Sequence, residues 1–311
     1  MIDLGLVLAR LLHFAAMTNL AGVSIFPLYA HADAEPMVLL RWRQRVLLAA
    51  AIAALFSGVV WFVFAVANMS GTLADVADRE ALWTVLNETT FGRVWTARML
   101  LAVIVLGVVS IRFASTAGPQ PDWIMPFLTG ALLASLAGVG HSQIGEGVPG
   151  VIHVTSDAAH LLAAGAWLGG LLPLGFILAH YGRETDTARA TDLDEILLRF
   201  SGMGYVAVAT LIGSGLVNGW FLIGNVSGLF ATPYGQLLLV KVVLFAGMLA
   251  LAVSNRFWIV PSLTKARTDD RNGSTAWTAR LRHHLLGEQF LGLMVLLIVS
   301  VLGTMRPAIG Q

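Results

Sequence analysis

Two imidazoles and a carboxylate recur at helical spacing in one apolar stretch: His153, Asp157 and His160 lie four and three residues apart. That spacing puts them on one helical face within about 60 degrees, half of a metal site. A second apolar stretch holds His13 and Met17 one turn apart, and a thioether beside an imidazole suits Cu(I). His141 opens a glycine-rich run, Gly140-His141-Ser142-Gln143 through Gly145, Gly147 and Gly150, which can close over a site at the ends of these stretches. The chain has no cysteine. Thiolate ligands, disulfides and a cysteine nucleophile are therefore excluded, and metal chemistry falls to His, Met and carboxylates. Arg10, Arg98 and Lys241 sit in the same apolar surroundings. As protonated cations they cannot coordinate a metal, so they are expected as supporting counter-charges.

The elements that must position these residues are membrane helices. Of 311 residues, 57% are apolar and 12% charged, with mean hydropathy +0.78, whereas soluble domains carry roughly one quarter charged residues. Eight apolar segments approach the length that crosses a bilayer: about Leu4 to Ala30, Val46 to Met69, Arg93 to Phe113, Trp123 to Gly140, Val151 to Ala179, Ile196 to Ile223, Tyr234 to Trp258 and Leu285 to Met305. The expected fold is all-α, a polytopic bundle of eight transmembrane helices in one integral membrane domain over 1–311. The first segment is too long, and too poor in flanking basic residues, for a cleaved signal peptide, and is expected to remain as a span. The outer connection with Asp75, Asp78, Glu80, Trp83, Leu86 and Glu88 is expected to form a short interfacial helix.

Charge sorts the connections. Loops one, three, five and seven hold 13 of the 19 basic residues, so the positive-inside rule places them in the cytoplasm and both termini in the periplasm of a bacterial inner membrane. The intramembrane ionisable residues then gather in the outer half, with His13 and His160 each roughly 14 Å deep. Basic residues do not line a polar face, so no nucleic-acid footprint is present. There is no P-loop, metalloprotease helix or hydrolase serine elbow. No enzyme activity is read from these motifs.

An internal repeat orders the same residues. His13 and His160 are each followed nine residues later by Gly22 and Gly169. Ser57-Gly58 and Ser214-Gly215 each precede Trp-Phe, and Arg98 and Lys241 each follow a glycine, Gly92 and Gly235, by six residues. Two parallel four-helix halves, 1–148 and 149–311, are expected, related by an axis along the membrane normal.

The string Asp157 to Leu171, with Gly140-His141-Ser142, Arg199-Phe200-Ser201, Tyr234-Gly235 through Lys241 to Asn255-Arg256-Phe257, and Pro261, resembles the copper-resistance protein D (CopD) family. The resemblance is specific from about Gly140 to Pro261 and extends to span one around His13. It implies an eight-span inner-membrane protein of copper resistance or import that handles copper ions. It supports His141, Asp157 and His160 as site residues, with His13 as the span-one counterpart; His153 and Met17 are added from spacing. It also implies a periplasmic copper carrier of the CopC type as partner, expected in trans because the connections are too short to hold one. The alternative comes from the His-x6-Trp-x-Gly-Gly pattern, which resembles the four-span HemJ-like membrane proteins. It makes His13 and His160 axial ligands of haem b, with Arg98 and Lys241 facing the propionates. A third reading makes the buried polar residues interhelical glue only.

Overall fold

The computed structural model describes residues 2–31, 35–115, 123–139, 147–181, 187–269 and 271–310. His141 lies outside them. Among the described residues every regular element is helical. Among the described residues seven helices are long and apolar enough to cross a membrane: Ile2–Ala30, Met37–Ser70, Thr90–Ala114, Gly147–His180, Asp192–Ile223, Pro233–Arg267 and Ser274–Leu302. The fourth expected span is the shorter apolar helix Ile124–Val139. It starts as α-helix and tightens at Ser135–Val139 into a 3₁₀ turn, whose larger rise per residue brings its length to about 26 Å against a hydrocarbon core of about 30 Å. The chain is an all-α polytopic membrane bundle.

The helices are α1 (Ile2–Ala30), α2 (Met37–Ser70), α3 (Arg79–Glu88), α4 (Thr90–Ala114), α5 (Ile124–Ala134), α6 (Gly147–Ala164), α7 (Leu171–Tyr181), α8 (Thr187–Ile223), α9 (Val226–Ala231), α10 (Pro233–Ser254), α11 (Val260–Asp269) and α12 (Arg271–Leu302). The helix expected between spans two and three is α3, with the Asp78 side chain accepting from the Glu80 amide at its start. The last span begins well before Leu285, because α12 continues through the polar run that holds Arg280 and Arg282.

Spans five and seven are each interrupted by a π-helical turn, Gly165–Gly169 between α6 and α7, and Asn255–Ile259 between α10 and α11. Such turns widen a helix by one residue and re-aim its side chains. Spans three and seven start alike. Thr89 caps α4 by accepting from the Gly92 amide at 2.9 Å, and Thr232 caps α10 by accepting from the Gly235 amide at 3.0 Å. A short helix folds back onto each start, α3 onto Gly92 and α9 onto Gly235, where a Cβ would strike backbone. These anchored ends set the depth of Arg98 and Lys241, six residues further along.

Two apolar cores run side by side. One joins α1, α2, α4 and α5 through Met17, Leu20, Ala54, Val105 and Leu132. The other joins α7, α8, α11 and α12 through Leu171, Ile177, Leu197, Leu263 and Leu285. Their seam is the crossing of α1 on the π-turn of span five, where Gly22 lies against the Gly165 carbonyl and the Gly169 backbone. Phe56, Leu100, Val206, Leu216 and Val243 point outward and are exposed, the surface a bundle presents to lipid.

Candidate functional site

In the first half the histidine is enclosed. His13 is 1% exposed. Its Nε2 lies 2.9 Å from Arg98 Nη2. A guanidinium can only donate, so Nε2 holds the lone pair and accepts, and the proton sits on Nδ1. That nitrogen donates toward the Ala54 carbonyl at 3.1 Å, with Ser57 Oγ at 3.0 Å. Arg98 Nε donates to Ser135 Oγ at 3.0 Å, where α5 tightens, and its Nη1 is buried without a hydrogen-bond partner. Arg10 donates through Nη1 to the Gly303 carbonyl at 3.2 Å. Both guanidiniums lie over the Trp61 ring, at 5.2 and 5.5 Å. The pocket therefore holds two cations beside one histidine. Among the described residues no carboxylate pairs with either.

The second half repeats the imidazole geometry with different charges. His160 Nδ1 lies 2.9 Å from Ser214 Oγ. The Ser214 hydroxyl donates to the Thr210 carbonyl one turn back, so it accepts from His160, and Nδ1 carries the proton. The lone pair is again on Nε2, here with no hydrogen-bond partner among the described residues. Ser57 donates to the Ala53 carbonyl in the same way. In both halves a glycine faces the histidine Cε1: Gly58 toward His13 and Gly215 toward His160. Asp157 accepts from Asn218 Nδ2 at 3.3 Å, and Lys241 lies near both Asp157 and His160. One anion offsets one cation.

The expected shared face exists and points at α8. His153 stacks on Phe221 at 4.8 Å, Asp157 meets Asn218, and His160 meets Ser214. The three pairs form an antiparallel ladder between α6 and α8. Met17 is buried in the first core one turn below His13. His13 and His160 are not brought into one hydrogen-bond network, because the first bonds to α2 and α4 and the second to α8. Among the described residues no three His, Asp or Glu side chains converge as a metal site.

Several participants escape a reading based on ligand types. Ser57 and Ser214 appear in the sequence as repeat markers, yet they fix the tautomers. Asn218 is four residues after Ser214, on the same face. Glu288 sits a turn inside the last apolar segment and is 2% exposed, accepting from Trp167 Nε1 at 3.2 Å and Asn255 Nδ2 at 2.7 Å. As a lone carboxylate in an apolar run, it is the one ionisable group with a sequence signal of its own.

Residues 1–151 match the family model for the copper resistance protein D-like N-terminal domain, and residues 194–302 match copper resistance protein D. The chain is 33% identical over 305 residues to copper resistance protein D of Pseudomonas syringae pv. tomato, covering 94% of this chain and 95% of that one. The chain belongs to the copper resistance protein D family. Another relative is inner membrane protein YebZ of Escherichia coli (strain K12), 30% identical over 301 residues with 96% and 97% covered. Copper transport protein CutJ of Bacillus subtilis (strain 168) is 31% identical over 250 residues, which are 78% of this chain and 44% of that protein. No solved structure matches. In this family member the α6 side of the ladder, His153, Asp157 and His160, falls between the two matched segments, and its α8 side, Ser214, Asn218 and Phe221, within the second.

Proposed function

We propose that this protein takes up copper from the periplasmic side of a bacterial inner membrane and delivers or transports it inward, with both termini periplasmic. The observation that carries the reading is the His160 lone pair. Ligating histidines typically donate their second N–H to a fixed acceptor, and Ser214 is that acceptor here, leaving Nε2 unbonded one turn along α6 from Asp157. His153 stands further up the same face, and His141 comes from the connection preceding α6. His13 and Met17, the repeat-related counterparts on span one, stay outside the copper site in this reading, because Arg98 occupies the His13 lone pair. Arg10 and Lys241 set the charge of the two pockets. The two halves, 1–148 and 149–311, act as parallel copies whose pockets have diverged in charge. Family membership and the copper-related names of two relatives support copper as the cargo, and a soluble carrier of the CopC type is the expected donor.

Metal analysis and an absorption spectrum of the same purified sample test this reading. Copper bound in stoichiometric amount without a Soret band is the expected result. A Soret band with haem in place of copper would replace the proposal. The geometry favours copper, because the His13 lone pair accepts from Arg98 and the two histidines share no partner. A finer test follows from the tautomer argument. Ser214→Ala is expected to lower copper affinity by roughly 10- to 100-fold, the usual effect of losing a group that orients a ligand. Ser57→Ala is expected to leave it within about twofold, measured by competition with a Cu(I) chelator.

A further inference from the structure

The π-turns of spans five and seven meet at one residue that the copper reading does not use. Glu288 lies on α12 toward the end bearing Arg280 and Arg282. Trp167 reaches it from the π-turn Gly165–Gly169, and Asn255 from the π-turn Asn255–Ile259. Gly292, one turn on from Glu288, leaves room for Leu168, so the first turn can approach α12 closely. Both carboxyl oxygens thus face N–H donors, one from each interrupted helix. A metal ion would meet those same N–H dipoles positive end first, which argues against a cation site. A bare carboxylate this deep, with no cation paired to it among the described residues, is costly in an apolar surrounding.

Asn255 resolves the conflict. Its Oδ1 is buried with no hydrogen-bond partner while its Nδ2 donates to Glu288. Rotating the amide by half a turn presents Oδ1 to Glu288, where it can accept from a protonated carboxyl. Trp167 donates to the other oxygen in either state. The same three side chains therefore satisfy both the protonated acid and its anion.

We propose that Glu288 is a proton-exchanging carboxyl, switched by the Asn255 amide and connected to the near end of the bundle through His284. His284 stands one turn earlier on α12, and its Nδ1 is buried without a hydrogen-bond partner. On unloading, the Glu288 O–H bond breaks and the proton crosses one helical turn to His284 Nδ1 through one bridging water; the resulting imidazolium then releases its Nε2 proton to water. Loading is the reverse. The other charged or titratable groups around the cluster are committed or exposed. Arg256 turns to the Tyr205 hydroxyl at 3.4 Å, and Arg267 pairs with Asp194 at 2.9 Å. Tyr29 on α1 donates to the Ala166 carbonyl at 3.2 Å. Lys265 on α11 and His180 on α7 are exposed. The site lies two turns, about 10 Å along span five, from His160, and the proposal stands independently of where copper binds.

Infrared difference spectra of the full chain in lipid nanodiscs, taken across a pH series, test it. The protonated carboxyl stretch is expected to decline as pH rises, to shift in D₂O, and to be absent in Glu288→Gln. Asn255→Leu is expected to stop that band from titrating, and His284→Phe to slow its hydrogen–deuterium exchange by roughly 10²-fold. A wild-type spectrum unchanged by Glu288→Gln, or a Glu288 band that neither titrates nor exchanges, would overturn the proposal. If Glu288→Gln does not fold, Asn255→Leu and His284→Phe carry the test: normal titration and exchange in both would also overturn it. Copper content measured on the same samples keeps this outcome separate from the copper reading.

Discussion

Copper binding by the purified protein is expected to be lost in His160→Ala and kept in His13→Ala, although the two histidines occupy matching positions. Both imidazoles are held as the Nδ1–H tautomer by a serine on the neighbouring helix. The difference lies on the other side of the ring. A copper ion on His13 Nε2 must displace the Arg98 guanidinium at 2.9 Å and then remain near both Arg98 and Arg10. At 4 Å and an effective dielectric of 20, one unit charge repels another by about 4 kcal/mol. A single arginine left at that range would lower affinity by roughly a thousandfold, and the pocket has two. At His160 the Asp157 carboxylate offsets the Lys241 ammonium, so the approaching ion meets a pocket of no net charge. His13→Ala acts on stability instead. It leaves Arg98 with a second buried N–H group unpaired, at about 1–3 kcal/mol or more for a charged group. Titration with Cu(I) against a competing chelator, beside thermal unfolding in detergent, separates the two effects. A folded His13→Ala protein without copper would reverse the assignment.

The residues that carry this difference show how far the sequence can be read. Spacing alone placed His153, Asp157 and His160 on one face, and that face does meet one partner helix, because three- and four-residue steps fix direction on any α-helix. The apolar runs likewise announced the spans, since length and hydropathy are properties of the chain itself. Partner choice was not legible. That Arg98 closes on His13 while Lys241 bears on Asp157 depends on the depths of α4 and α10, set by Thr89, Thr232 and the short helices folded against them. The weak fourth span has the same kind of cause. Its 3₁₀ turn at Ser135 accompanies a hydrogen bond from Arg98, a residue 37 positions away. Glu288 stands in the last apolar run, but its burial and its two donors come from packing against spans five and seven. The π-turns have no sequence signature beyond glycine and aromatic content, yet they bring Trp167 and Asn255 together.

Gly22→Val is expected to abolish assembly of the bundle, and Gly22→Ala to lower its stability by about 1–3 kcal/mol or more. Apolar burial does not drive helices together within lipid. Close packing and polar contacts do, and small residues set how near two backbones can come. A Cβ on Gly22 would overlap the Gly165 carbonyl and the Gly169 backbone, and a Cβ on Gly169 would overlap the Thr18 carbonyl and Gly22. These obstacles are main chain, so no rotamer change relieves them. Gly175, which has open space where a Cβ would stand, provides the control: Gly175→Ala should be neutral or stabilising by up to about 1 kcal/mol through helix propensity. Thermal unfolding and monodispersity in detergent would distinguish these outcomes, and equal melting of Gly22→Ala and Gly175→Ala would show that the seam yields. Gly22 and Gly169 each follow a histidine by nine residues, about 13 Å along the helix. Residues at equivalent positions touch each other here, the contact that two parallel copies around an axis along the membrane normal would make. Loosening the seam loosens the π-turn that continues α6 beyond His160, so a marginally folded Gly22→Ala protein should lose copper affinity along with melting temperature.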